Sequence, residues 1–226
     1  MIKRLLTAFA LTAAVAAPAG AATISYFEGG VATSIPGLTG FATTGAMMDG
    51  MQVTACFTVL GCQTRSWADL AAPDSGGVSG TGWGLSMTGD SFTAPWLFDF
   101  ASDNLGQLVS LLLDGRAGLT VFDRTLPNQG TPGSAQGRDW TTTLNGGTLI
   151  DVTYRDPTNI DGALAVGDLF QQVFVSFGQT GPRIDFSFSQ DTDNDSRFTG
   201  KVPEPSTLLL LGIGLLGVAG LRHRRR

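Results

Sequence analysis

Enzymatic chemistry needs a base, a nucleophile or a set of metal ligands, and this sequence is sparing with all three. Its one histidine, His223, lies among arginines in the last residues, so the body of the chain has none. That removes Ser-His-Asp hydrolysis, Cys-His hydrolysis and His-ligated zinc from the body in one step. Two cysteines are too few for a Cys-only metal site. The glycine-rich stretches lack the Gly-Lys-Ser/Thr ending of a phosphate-binding loop. Carboxylates remain. Asp99, Asp103, Asp114, Asp123, Asp139 and Asp151 are available for acid/base work on a glycosidic bond, but aspartates at turns and strand ends are ordinary structural chemistry.

Three smaller signals carry chemistry of other kinds. Asp191, Asp193 and Asp195 alternate with Thr192 and Asn194, and alternating carboxylates offer calcium the hard oxygen ligands it takes. The pattern departs from a helix-loop-helix calcium loop, with Ser196 where glycine belongs and Val202 where glutamate belongs. The competing reading is a solvated acidic linker. Apart from calcium, no cofactor is expected. Of the four tryptophans, Trp140 stands beside Arg138 and Asp139 after a Pro/Gly-rich stretch and is the candidate sugar contact, although tryptophan is more often core. Cys56 and Cys62 are expected to form a disulfide in an oxidising compartment, worth roughly 2.4 kcal/mol by loop entropy. Their spacing is not that of a redox Cys-x-x-Cys pair.

Both ends carry addresses. Lys3 and Arg4 precede an apolar run from Leu5 to Ala17, Pro18 breaks it, and Ala19-Gly20-Ala21 offers a small-x-small cleavage site. Residues 1–21 therefore read as a signal peptide cut after Ala21 by signal peptidase. At the other end, Pro203-Glu204-Pro205 stiffens the backbone, an apolar run from Leu208 to Leu221 follows, and Arg222, Arg224, Arg225 and Arg226 form a basic tail. A helix over about 206–221 is short for a hydrocarbon core, which takes about 20 residues, and its glycines weaken it further. The arginines place the tail on the cytoplasmic side. A plain single-pass anchor explains these features equally well on physics alone.

The ordered combination of Pro203-Glu204-Pro205, a short Leu/Gly helix and an arginine cluster resembles the PEP-CTERM sorting signal of bacteria. The resemblance covers roughly residues 202–226. It implies export, transient retention in the inner membrane through the helix, and recognition and cleavage near the motif by an exosortase-like membrane enzyme. It implies no catalysis by this chain.

The elements between these ends must position whatever the protein presents. Thr23–Lys201 carries eighteen acidic and eight basic side chains, a net charge of −10, which repels phosphate backbones and argues against nucleic acid as a partner. Period-two alternation is the recurring pattern. Met51, Val53, Ala55, Phe57 and Val59 share one face, and Cys62–Trp67 returns after Gly61. Trp83–Met87, Ser91–Phe100 with Pro95 marking an edge or a bulge, Leu119–Asp123, Thr148–Arg155, Asp168–Phe177 and Ile184–Phe188 read as further strands, and the apolar Leu105–Leu113 fits either a fully buried strand or a helix, the strand being preferred. Asp74–Gly82 and Asp156–Asn159 read as turns, and 125–147 as a long loop. The fold class is all-β: a β-sandwich, jelly-roll-like, at 22–190, then an acidic linker at 191–201 and the sorting signal at 202–226. Segments such as Ser66-Trp67-Ala68-Asp69 and Leu112-Leu113-Asp114-Gly115 resemble ectodomains that accompany PEP-CTERM signals, which implies a fold more than a function.

The expected role is that of a non-enzymatic, exported surface or matrix protein. It is expected to pass from a periplasmic, membrane-held state to the cell surface, and the exosortase resemblance implies a link to exopolysaccharide or biofilm. A lectin-like carbohydrate-binding module and a carboxylate-based polysaccharide-acting enzyme stand as the alternatives.

Overall fold

The computed structural model describes residues 23–26, 33–35, 42–125, 130, 131, 134, 137–144, 146–160 and 166–194. The stretches read from the sequence as signal peptide, C-terminal helix (206–221) and Arg tail lie outside them. The described chain is built from strands, with only single turns of 3-10 helix between them. No helix among the described residues is long and apolar enough to cross a membrane.

Among the described residues fifteen strands form two sheets. The first holds β1 (Thr23–Tyr26), β2 (Thr33–Ile35), β3 (Gln52–Phe57), β4 (Gly61–Ser66), β9 (Leu108–Asp114), β10 (Thr120–Asp123), β12 (Asp151–Ile160), β13 (Leu169–Ser176) and β15 (Asp191–Asn194). The second holds β5 (Ala68–Asp69), β6 (Ser75–Gly80), β7 (Trp83–Thr88), β8 (Trp96–Phe100), β11 (Thr141–Thr143) and β14 (Phe186–Ser189). The pairings are antiparallel except where β1 and β2 run parallel to β12. Within the second sheet β5 to β8 form a meander, and β14 and β11 extend it past β8. From β10 onward the chain crosses repeatedly between the sheets, as the sandwich expectation requires.

Alternation decides which face of each strand turns inward. In β3 the residues Val53, Ala55 and Phe57 are buried and those between them are not. The inward rings meet at mid-plane: Phe57 of the first sheet lies 6.3 Å from Trp83 and 6.4 Å from Phe98 of the second. Trp67 joins the same layer, 5.2 Å from Trp96, and Trp96 stacks on Phe188 at 5.5 Å. All four tryptophans are buried. At about 25 cal/mol per Å² of apolar surface, rings of this size dominate the energy of the core. Trp67 sits between β4 and β5, where one continuous run of chain leaves the edge of the first sheet and enters the edge of the second. That corner closes one side of the sandwich.

Five sequence expectations are corrected. Ser75–Gly80 is not a turn but strand β6, in the interior of the second sheet. Its glycines serve close approach: a Cβ on Gly76 would fall 1.9 Å from the Gly45 carbonyl oxygen and 2.2 Å from Trp67 Nε1. Asp156-Pro157-Thr158-Asn159 is not a turn either; β12 runs through it in unbroken register with β13. Asp156 takes a left-handed φ of 56°, and Pro157 sits in the gap between the stretches paired to β1 and β2, where its missing N–H breaks no parallel ladder. Pro95 marks neither an edge nor a bulge, since β8 starts just after it and lies between β7 and β14. Val59 leaves the alternating face and is 74% exposed, because β3 ends at Phe57. The acidic linker at 191–201 begins late: Asp191–Asn194 is strand β15, buried and paired with β10.

Cys56 and Cys62 form a disulfide and are directly opposed across the β3–β4 hairpin. Their joint replacement by serine should lower the unfolding free energy by about 2 kcal/mol in urea melts. Gly76→Ala should cost more, about 3 kcal/mol, because its methyl displaces the Trp67–Gly45 hydrogen bond of 2.8 Å. Wild-type stability in that variant would contradict the close-approach account of β6.

Candidate functional site

The polar residues gather at two places, a buried acidic layer on β10 and β15 and an open groove at the other end of β9. The layer follows from strand pairing. Asp123 of β10 is directly opposite Asp191 of β15, and Asp193 follows two residues along, so all three share one face. Asp168 precedes β13, whose Leu169 pairs with Asp123. All four carboxyls are buried.

Hydroxyls and amides satisfy most of this layer. Ser134 donates to Asp123 Oδ2 at 2.6 Å, and Thr131 donates to Asp168 through its hydroxyl at 2.5 Å and its backbone N–H at 2.7 Å. Ser91 Oγ and the Thr192 N–H donate to Asp191 Oδ1 at 2.9 and 2.8 Å. Asp123 Oδ1 has no hydrogen-bond partner among the described residues. Gln190 lies at the crossover between β14 and β15. Its Oε1 accepts from Tyr154 Oη at 2.5 Å, its Nε2 donates to the carbonyls of Asp123 and Asp191, and its own carbonyl accepts from Trp96 Nε1. Beside it Arg124 pairs with Asp139 at 3.0 Å and lies over the Tyr154 ring.

Burial dictates the protonation of the layer. Desolvation pushes the Asp123 carboxyl up to about 8; the Ser134 hydrogen bond opposes this, and Asp193, Asp168 and Asp191 add to it. Desolvation likewise raises Asp191 to about 7, against the Ser91 hydrogen bond. Asp123 is thus protonated at neutral pH, which suits a structural carboxylic acid.

The sequence-derived site residues fare differently. Asp191 and Asp193 meet Asp123 and Asp168 in this layer instead of standing in solvent, and Asp195 lies outside the described residues. Among the described residues no three carboxylate, histidine or cysteine side chains are arranged to hold a metal ion. Trp140 is no exposed sugar platform: it is 2% exposed and stacks on Phe188 with ring centres 3.7 Å apart. Ala19, Ala21, Pro203, Glu204, Pro205, Arg222, Arg224, Arg225 and Arg226 lie outside the described residues. Thr131 and Ser134 were missed as members of the layer, and the only signal for them was the hydroxyls within the Pro/Gly-rich stretch.

The groove lies where the loop after β11 meets the turn between β13 and β14. Gln107, Gly146, Gly147, Thr148, Thr180, Gly181, Arg183 and Ile184 line a cavity of about 420 Å³.

With the buried layer committed to structure, the decisive observation comes from comparison with known families. Residues 201–226 match the PEP-CTERM protein-sorting motif. The motif marks an exported protein that is held transiently at a membrane and has an exosortase as its processing partner. It begins seven residues after Asn194, the end of β15. No curated protein and no solved structure matches the chain.

The protonated layer sets a pH dependence. Unfolded, Asp123 titrates near 4; folded, near 8. Between these values the folded state holds a proton that the unfolded state has released. The associated stability is complete below about 4 and is lost as pH rises through about 8. The unfolding free energy should therefore fall by about 1 kcal/mol per pH unit between pH 5 and 8, and the melting temperature should fall with it. Asp123→Asn should reduce the slope, leaving the part that Asp191 contributes below about pH 7, and raise stability at pH 9. A flat wild-type profile would contradict the protonated layer.

Proposed function

We propose that this protein is a non-enzymatic component of the cell surface or extracellular matrix. The observation that carries the proposal is the sorting motif at 201–226. In this reading signal peptidase removes residues 1–21, and the β-domain folds in the periplasm. The segment at 206–221 holds it at the inner membrane until an exosortase cuts near Pro203-Glu204-Pro205. The released domain joins exopolysaccharide-containing material.

Several features of the body of the chain support this. It has no histidine, and its carboxylates are spent on folding where the structure gathers them. A cross-strand disulfide suits an oxidising compartment. The short apolar segment suits retention that lasts only until processing. The lectin alternative has one observation in its favour, the groove beside Arg183, and Trp140 has no part in it.

Intact-mass measurement of the protein recovered from the cell surface tests the proposal. The expected mature form begins at Ala22 and ends upstream of Arg222. Glu204→Ala should leave the domain folded and cause a membrane-held precursor to accumulate. A wild-type surface form that still carried Arg226 would overturn the processing step.

A further inference from the structure

We propose that the groove around Arg183 binds a carboxylate-bearing sugar, a hexuronate residue of an acidic polysaccharide. This deepens the matrix reading above by naming a ligand class. Its volume of about 420 Å³ lies in the range of small-ligand sites.

The charge pattern points to the carboxylate. Arg65, Arg116, Arg124, Arg138 and Arg155 each engage a carbonyl, a carboxylate or an aromatic ring. Arg183 is the one described arginine without such a partner among the described residues, and it stands exposed in the groove wall. The neighbouring Asp185 is turned away, accepting from the Phe100 N–H at 2.7 Å. A guanidinium presents a planar fork of N–H donors that matches a carboxylate, in a domain otherwise rich in negative charge.

The rest of the groove fits the remainder of a sugar ring. Thr148, Thr180 and the amide of Gln107 supply donors and acceptors for hydroxyls. Ile184, 50% exposed, supplies an apolar patch for a C–H face. The base is backbone in close contact: Gly147 has φ 83°, and a Cβ there would fall 2.5 Å from Gly181. Gly181 in turn packs on Leu108, whose N–H bonds to the Pro182 carbonyl at 3.0 Å. The groove is therefore preformed on the end of β9.

Its position suits an external ligand. Asn194 lies against Thr120 and Met47, by the Asp114 end of β9. The groove is at the Leu108 end, about 20 Å away at ~3.3 Å per residue. The sorting motif begins seven residues after Asn194, a reach of at most about 25 Å. The groove and the end that leads to the sorting motif thus lie at opposite ends of β9, so processing at the motif leaves the groove untouched.

Calorimetric titration of the full chain in detergent micelles tests the site, with trigalacturonate as probe and a neutral trisaccharide of the same length as control. The expected result is saturable binding of the uronate alone. Arg183→Ala should weaken it about tenfold, Arg183→Lys should weaken it less, and Gln107→Ala should also weaken it, all with unchanged melting temperatures. Equal binding of the neutral sugar, indifference to Arg183→Ala, or no binding of the uronate would overturn the proposal. Equally tight binding of a short peptide through its terminal carboxylate would also overturn it and reassign the groove to protein termini. Failure here leaves the sorting reading intact, because processing is scored by mass and does not depend on the groove.

Discussion

Gln190 fastens the two sheets to one another through its backbone carbonyl on one side and its side-chain amide on the other. It stands where the chain crosses from β14 to β15. Its carbonyl receives the Trp96 indole from the second sheet, while its side chain spans Tyr154 and the backbone of Asp123 in the first. A buried amide costs several kcal/mol when unpartnered and little when every donor and acceptor is matched. Here all are matched, so the penalty falls on alternatives: a one-residue slip of β15 would strand the amide, the indole and the phenol together. The network thereby fixes the register of the last strand, and that register brings Asp191 and Asp193 beside Asp123.

The aromatic layer and the polar layer divide the work between them. Stacked rings such as Trp83–Phe98 and Trp140–Phe188 supply burial but tolerate small shifts. Hydrogen bonds to buried carboxyls do not, because their geometry is narrow and their loss leaves an unsatisfied group. Ser134, Thr131 and Ser91 draw otherwise separate loops onto the strands that carry those carboxyls. Stability comes mainly from the first layer and specificity of the fold mainly from the second.

Much of this architecture is legible in the sequence where side chains alternate. β3, β7, β13 and β14 announce themselves by period two, β4 by the return of the chain after Gly61, and the Cys56–Cys62 bridge by the expected compartment. Reading fails where tertiary contact reverses a local preference. Glycines 76 and 77 signal a turn but permit Trp67 and Gly45 to press on a central strand. Asp191 and Asp193 signal solvent, and for Asp191 the Ser91 hydroxyl, far away in sequence, makes burial tolerable. Trp140 signals a binding platform, yet a core that already holds Phe188 takes it in. The sorting motif is legible for the opposite reason: a membrane enzyme reads it as a linear segment, so no distant contact alters its meaning. The groove left no pattern in the sequence, since it arises from two glycine turns that meet only in space.

The placement of β15 has a consequence for the order in which the molecule is made. The strand that completes the polar layer is the last described strand of the domain and is followed almost at once by the sorting motif. During synthesis β10 emerges long before its closing partner β15. Asp123 and Tyr154 must wait, incompletely partnered, until Gln190 arrives. Completion of the fold and presentation of the sorting motif are thus nearly simultaneous events, and a chain truncated before Gln190 would lose both the motif and the strand that locks its core.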